Sequence, residues 1–246
     1  MNITTRTPSL LRLLASETGW QIRLYLRDRA ATFFTFAFPP LVLLFWSRQS
    51  WQDVLSATAF VAALALAMAA YAGLAMGIAS AREVGLLKRL RSAPLPMVVH
   101  IAARVAACAL LGTFALLLTL GLGAFWLGLS LSLSNFAGLL PGLVLGFAAL
   151  GSWGLVVGSL VRTANAASYL VNATLFPLFL LSVAAQRGML PEWAAALTPL
   201  LPLQNLALLI QTALKGDGML LYPLLTLLCW AVLGAAVAAR RLSRPL

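Results

Sequence analysis

Residues 54–79 read VLSATAFVAALALAMAAYAGLAMGIA, without one charged side chain. At a helical rise of about 1.5 Å per residue this run outlasts the roughly 30 Å hydrocarbon core of a bilayer. A surface helix of a soluble protein keeps a polar face, and this run has none, so its solvent is lipid. Five further runs outward from it have the same character: 30–46, 97–127, 136–160, 164–185 and 219–239. The run at 30–46 is short, and the one at 97–127 is long enough to tilt or to extend past the core. Between the last two lies another apolar stretch, 190–214, interrupted by Pro191, Pro199 and Pro202. Its prolines argue against a continuous crossing, and it reads as short interfacial or re-entrant helices.

Composition agrees with this reading. Hydrophobic residues make up 62% of the 246 residues and charged ones 9%, against about 25% charged in an ordinary soluble domain; the mean hydropathy is +0.96. The net charge of +11 does not point to nucleic acid, because the basic residues occupy short segments between apolar runs and form no separate basic domain. Cys108 and Cys229 both fall within apolar stretches without ligand spacing, where cysteine behaves as a small hydrophobe. The N-terminus shows no short apolar core followed by a small-residue cleavage site, so no removable signal peptide is expected.

Across residues 9–27, Leu10, Leu11, Leu13, Leu14, Trp20, Ile22 and Leu24 recur at helical spacing while Arg12, Arg23 and Arg27 share one arc. This predicts an interfacial helix lying along the membrane. Residues 1–29 thus form an N-terminal segment, and 30–246 a six-span domain. Alternating the spans places Arg6, Arg12, Arg23, Arg27 and Arg29, then Arg82, Lys88, Arg89, Arg91 and Arg104, then Arg162, Arg240, Arg241 and Arg244 on one side. Only Arg48, Arg187 and Lys215 remain for the other. The positive-inside rule puts both termini in the cytoplasm of a multi-pass inner (cytoplasmic) membrane protein. Glu17, Asp28 and Glu83 join the basic side, and Asp53, Glu192 and Asp217 neutralise the outer one. The basic face should attract anionic lipid.

The segment 81–96, AREVGLLKRLRSAPLP, carries more charge and leucine than a plain connection needs. On a helix Leu86, Leu87 and Leu90 share one face, Lys88 and Arg91 project from another, and Pro94 and Pro96 end it. Such a helix either anchors in headgroups or docks in a groove on a cytoplasmic partner, leucines for adhesion and charges for register.

Arg82-Glu83, Gly85, Lys88-Arg89-Leu90-Arg91 and Pro94-Leu95-Pro96 resemble the cytoplasmic loop after the second span of ABC-2 type permeases, the membrane subunits of drug, antibiotic and polysaccharide exporters. Residues 20–40, running through Arg27-Asp28-Arg29 into Phe33, Phe34, Phe36, Phe38 and Pro39, are similar to that family's connecting helix and first-span entry. Residues 175–209, with Phe176-Pro177, Ser182, Leu190-Pro191-Glu192-Trp193 and Pro202-Leu203, look like its fifth span, outer short helices and closing segment. The sequence departs from the family's usual pattern at Leu86, Ala93 and Val183. The resemblance implies that 81–96 is a coupling helix contacting a separate ATPase subunit, with Arg82, Glu83, Gly85, Leu86, Lys88, Arg89, Arg91 and Pro94 as its contacts. It implies also a homodimer or a pairing with a related permease.

No GxxxxGK[ST] string occurs, so ATP and Mg would be held by the partner and the chain itself carries no cofactor. His100 is the sole histidine, which leaves a two-histidine metal site or a histidine-based hydrolase without its parts, and Ser152 or Ser159 without a base. His100 and Arg104, four apart at one end of the third span, read as a pair snorkelling toward headgroups. Gly138, Gly142 and Gly146, Gly154 and Gly158, and Gly73 and Gly77 stand at GxxxG spacing and read as packing. Asn165, Asn172, Gln204 and Asn205 read as interhelical bonding groups, or as groups lining a path. Phe33, Phe34, Phe36, Phe38, Phe176 and Phe179, with Asn172, are candidates for the path of an amphipathic or hydrophobic substrate; the phenylalanines equally suit lipid.

These observations predict an all-α polytopic membrane protein: six transmembrane helices, an N-terminal interfacial helix, a cytoplasmic coupling helix, and short outer re-entrant helices between spans five and six. The function expected is the permease subunit of an ATP-driven exporter, not an enzyme itself. An ATP-independent carrier or channel, a membrane-embedded lipid-modifying enzyme, and an anchor for a cytoplasmic ATPase are the alternatives.

Overall fold

The computed structural model describes residues 9–47, 54–86, 97–129, 132–218 and 220–242, and among them every regular element is helical. In chain order these are α1 (Leu10–Arg27), α2 (Arg29–Trp46), α3 (Val54–Glu83), α4 (Met97–Leu127), α5 (Leu133–Leu160), α6 (Ala164–Gln186), α7 (Glu192–Ala195), α8 (Pro202–Lys215) and α9 (Leu221–Leu242). Six of them, α2 to α6 and α9, are long and apolar enough to cross a membrane. The six apolar runs are therefore the six spans, with ends shifted by a few residues. The largest shift is at α3, which continues past Ala79 to Glu83 before Gly85 adopts a left-handed φ of 69° and ends it.

The sequence of α3 explains its place. Alanines at 57, 59, 62, 63, 65, 67, 69 and 70 give it a thin profile on all sides, and 83% of its most apolar window is buried, against 22% for α2 and for α6 and 28% for α9. It is the axis on which α2, α4, α5 and α8 pack. One turn of α3, Met68–Gly73, and one of α2, Phe33–Ala37, are π-helical. Wide turns of this kind commonly mark functional positions. In each, a tyrosine–threonine hydrogen bond of 2.6 Å is made: Tyr25 with Thr35, and Tyr71 with Thr174 of α6.

Glycines set the separations. A β-carbon at Gly154 would stand 2.5 Å from the Tyr71 carbonyl oxygen, and one at Gly158 2.6 Å from that of Ala75. Helices α3 and α5 thus touch backbone to backbone, which only a missing side chain permits. The same helix receives α8 on the stripe before it. There a β-carbon at Gly138, Gly142 or Gly146 would lie 3.2, 3.3 or 2.5 Å from Ala213, Leu209 or Leu206.

That pairing runs antiparallel and fixes the depth of α8. The opposite end of the bundle, meaning the end away from Glu83, holds Gly138 with Ala213, and Gly146 with Leu206 lies deeper. The tip before α8 is tied to the final span, where Trp230 Nε1 donates to the Leu200 carbonyl at 2.8 Å. Trp230 is nine residues into α9, about 14 Å from its start at the helical rise. The chain therefore returns from the end of α6 through α7 to the level of Trp230, its axis bends by 73° at Leu201, and α8 runs antiparallel along α5. This broken pair is of the re-entrant kind, one of the two readings, interfacial or re-entrant, that the prolines left open. Backbone carbonyls at such a tip need donors inside the bilayer. Asn205 Nδ2 supplies Pro199 at 2.7 Å and Leu201 at 2.8 Å, and Trp230 supplies the carbonyl between them.

Candidate functional site

The polar residues of the described structure concentrate at the basic end, where α1, α3, α4, α5 and α6 meet. Helix α1 runs beside the first turns of α4 in the same direction. Glu17 faces His100, Gln21 faces Arg104, and Tyr25 joins the cluster around Cys108. The carboxylate of Glu17 accepts from His100 Nδ1 at 2.8 Å and from Gln21 Nε2 at 2.9 Å. Arg104 donates through Nη1 to Gln21 Oε1 at 2.9 Å and through Nη2 to the Gly73 carbonyl at 3.2 Å. Its guanidinium lies in the space that a side chain at Gly77 would take, since a β-carbon there would stand 1.7 Å from Nε. Arg104 Nε is buried and has no hydrogen-bond partner among the described residues.

His100 and Arg104 accordingly do not snorkel. They turn inward, because α1 brings acceptors to them and Gly77 leaves room for the guanidinium. The sequence carried a signal for this: Glu17 and Gln21 repeat, on α1, the four-residue spacing of His100 and Arg104. Burial also pushes the Tyr25 phenol above its ordinary value, although its hydrogen bond to Thr35 acts the other way. It stays neutral in the interface. The outward face of α1 retains exposed Arg12, Arg23 and Trp20. The expected single helix through Arg27-Asp28-Arg29 is broken at Asp28, whose Oδ1 caps α2 by accepting from the Ala31 amide at 3.1 Å.

A second polar set closes the inner ends of three spans. Arg82 Nη1 donates to the Ser159 carbonyl in the last turn of α5, and Glu83 Oε2 accepts from the Ala164 amide, the first of α6, at 2.8 Å. Each charge sits where the helix dipole favours it, cation at a C-terminus and anion at an N-terminus. Leu86 packs with Ala81 and Met97, joining the end of α3 to the start of α4. Of the residues assigned to ATPase coupling, Arg82, Glu83 and Leu86 thus already have partners within the chain, and Gly85 makes the turn. Lys88, Arg89, Arg91 and Pro94 lie outside the described residues, as do Leu87, Leu90 and Pro96 and the topology charges Arg6, Arg48, Asp53 and Arg244.

The substrate-path candidates are divided among three places. Phe34 forms ring contacts with Phe33 at 5.4 Å and with Phe38 at 5.6 Å on the outer face of α2. Phe179 stands apart, each ring centroid 5.8 Å away, in a trio with Trp46 of α2 and Phe60 of α3. Asn172 and Phe176 occupy the exposed face of α6 beside Asn165 and Tyr169. Helix α6 buries only the stripe Ala167, Val171, Leu175 and Ser182. The expectation that Asn165 and Asn172 bond to neighbouring helices is not met among the described residues, whereas Gln204 accepts from Gln186 Nε2 at 3.4 Å and so links α8 to α6. Among the described residues no group of three potential metal ligands occurs.

No curated protein and no solved structure matches the chain. The family model of the ABC-2 type transporters matches residues 14–211. That interval includes the α1–α4 polar cluster, the ties of Arg82 and Glu83, and nearly all of the re-entrant helix. Six spans around a re-entrant hairpin, with polar chemistry gathered at one end, are the arrangement within which this match falls, and the chain belongs to the ABC-2 type transporter family.

Proposed function

We propose that this transport permease is the membrane subunit of an ATP-driven exporter, working as a dimer above two copies of a separate ATP-binding subunit. The basic end is cytoplasmic in this reading, and residues 81–96 dock on the ATPase. Energy comes from outside these 246 residues in this reading, since they contain no GxxxxGK[ST] string. Of the charged groups of the described spans, Arg82 and Glu83 lie at a span end and are tied to α5 and α6, and Arg104, deeper, is held by Gln21 and the Gly73 carbonyl. No chain of exchangeable groups for an ion-coupled relay is thus assembled among the described residues.

The observation that carries the reading is the exposed face of α6. Asn172 lies eight residues into a span and points away from the rest of the chain, in a row with Tyr169 and Phe176. An amide facing lipid at that depth is costly, so this face is covered by a second copy or lines a hydrated path. Its mixture of amide, phenol and phenyl groups suits an amphipathic or hydrophobic substrate moving outward from the cytoplasm or inner leaflet.

The test is co-purification, in native lipid, with an ATP-binding subunit sought first among the products of neighbouring genes that carry GxxxxGK[ST]. The complex is expected to form with the parent chain and to be lost with Arg89→Ala plus Arg91→Ala, while the permease stays monodisperse. Retention of the complex by the double variant would exclude docking through 81–96, and failure of the parent to bind any ATP-binding subunit would favour an ATP-independent carrier.

A further inference from the structure

We infer that Arg82 and Glu83 form a clasp through which the end of α3 moves α6, so that Glu83 is a positioning residue for the transport path. This rests on the reading of α6 as the path-lining span. The two residues are the last of α3 before Gly85, with its φ of 69°, turns the chain toward the docking segment. From adjacent positions they reach the two ends of one break, Ser159 of α5 and Ala164 of α6. Between those ends Val161 and Thr163 are extended, with φ, ψ of −106°, 160° and −127°, 152°, so α5 and α6 are not one rigid rod.

The two helices differ in how they are held. Helix α5 is fixed to α3 by backbone contact at Gly154 and Gly158 and follows it without help. Helix α6 buries little, and among the described residues it is joined to α3 by the hydrogen bonds of Tyr71 to Thr174 at the π-helical turn and of the Ala164 amide to Glu83 at the end. A displacement of the end of α3 reaches the start of α6 through the second of these. The carboxylate meets an amide that would otherwise be one of the unpaired N–H groups of the α6 terminus. Charge assistance makes the bond stronger than a neutral one. Glu83 therefore acts on this chain as a hydrogen-bond acceptor and has no need of a cation on the ATPase.

The experiment uses the full chain with its ATPase in inside-out vesicles, in a Cys229→Ser background with Asn172→Cys as the reactive thiol on the α6 face; Cys108 is buried. The readout is the rate of labelling by a membrane-impermeant methanethiosulfonate reagent, with and without ATP plus vanadate. In the parent the nucleotide changes this rate by about threefold or more. Ala164→Pro removes the amide hydrogen at the first helical position, where proline is tolerated, after a residue already extended. It is expected to abolish the response while the ATPase co-purifies and hydrolyses ATP as with the parent. Glu83→Gln keeps an acceptor oxygen and keeps the response, and Glu83→Leu loses it. A parent-like response in Ala164→Pro overturns the inference. Equal loss in Glu83→Gln and Glu83→Leu overturns it too, because charge rather than acceptor would then matter. If the ATPase binds the parent but labelling at position 172 ignores nucleotide, the inference falls and the ATPase pairing stands. If no ATPase binds the parent, both fall.

Discussion

Where α5 crosses α3, Gly154 and Gly158 lie against carbonyl oxygens of the neighbouring backbone; where α1 and α4 meet α3, the junction is a guanidinium held by an amide and one carbonyl. The first contact has no second arrangement, because backbone cannot rotate out of the way and close packing in lipid is what holds the helices together. The second is made of side chains that can exchange partners. One region thus defines a rigid body of α3, α5, α8 and α9, and the other attaches α1 by side-chain bonds that can be rearranged. Helix α6, with its two hydrogen bonds to α3, belongs with the adjustable group.

The comparison breaks first at the glycines. Gly154→Ala sets a methyl group against the Tyr71 carbonyl and is expected to cost about 3 kcal/mol, the upper range of overpacking. Gly146→Ala meets only the branched tip of Leu206, which can turn aside, and is expected to cost about 1 kcal/mol. Thermal loss of the monodisperse peak in detergent ranks the two, and the reverse order would refute the distinction between backbone and side-chain contact.

At the polar junction, Gly77→Ala should expel the Arg104 guanidinium from its bonds to Gln21 and Gly73, at about 2 kcal/mol for the buried groups left unpaired. In an Arg104→Met background the same change meets a flexible apolar chain and should cost less than about 1 kcal/mol. Additive losses in the same heating assay would mean that the two residues do not share this space. The smallest effect is expected for Tyr71→Phe, which removes one hydroxyl bond to Thr174 for about 1 kcal/mol or less. It should loosen α6 alone, seen as faster proteolysis at residues 161–163 with little change in melting.

Six spans, their approximate ends and the gathering of positive charge on one side were legible because each follows from a single segment: hydropathy and length decide insertion without reference to any neighbour. That 190–214 is broken into short helices was legible too, from prolines in an apolar run; whether they are interfacial or re-entrant was not. Other features were not. His100 and Arg104 read as snorkelling, since nothing in their own helix shows that Glu17 and Gln21 will stand opposite. The three GxxxG steps read alike, yet one receives the re-entrant helix, one meets backbone, and one houses a guanidinium.

Arg82 and Glu83 show the same division most sharply. Their position after a span and before a leucine-rich basic segment marked them as part of a coupling loop, and on the page of sequence they look free to meet a partner. The fold brings Ser159 and Ala164, some 80 residues further along the chain, to within hydrogen-bond reach of them. Sequence alone determined that this protein lives in the membrane and which six segments are long and apolar enough to cross it, because burial in lipid is a property each segment has by itself. Which glycine faces which helix, how deep α8 returns, and where each charge finds its partner were decided only by tertiary structure, because those depend on register between helices that no single segment contains.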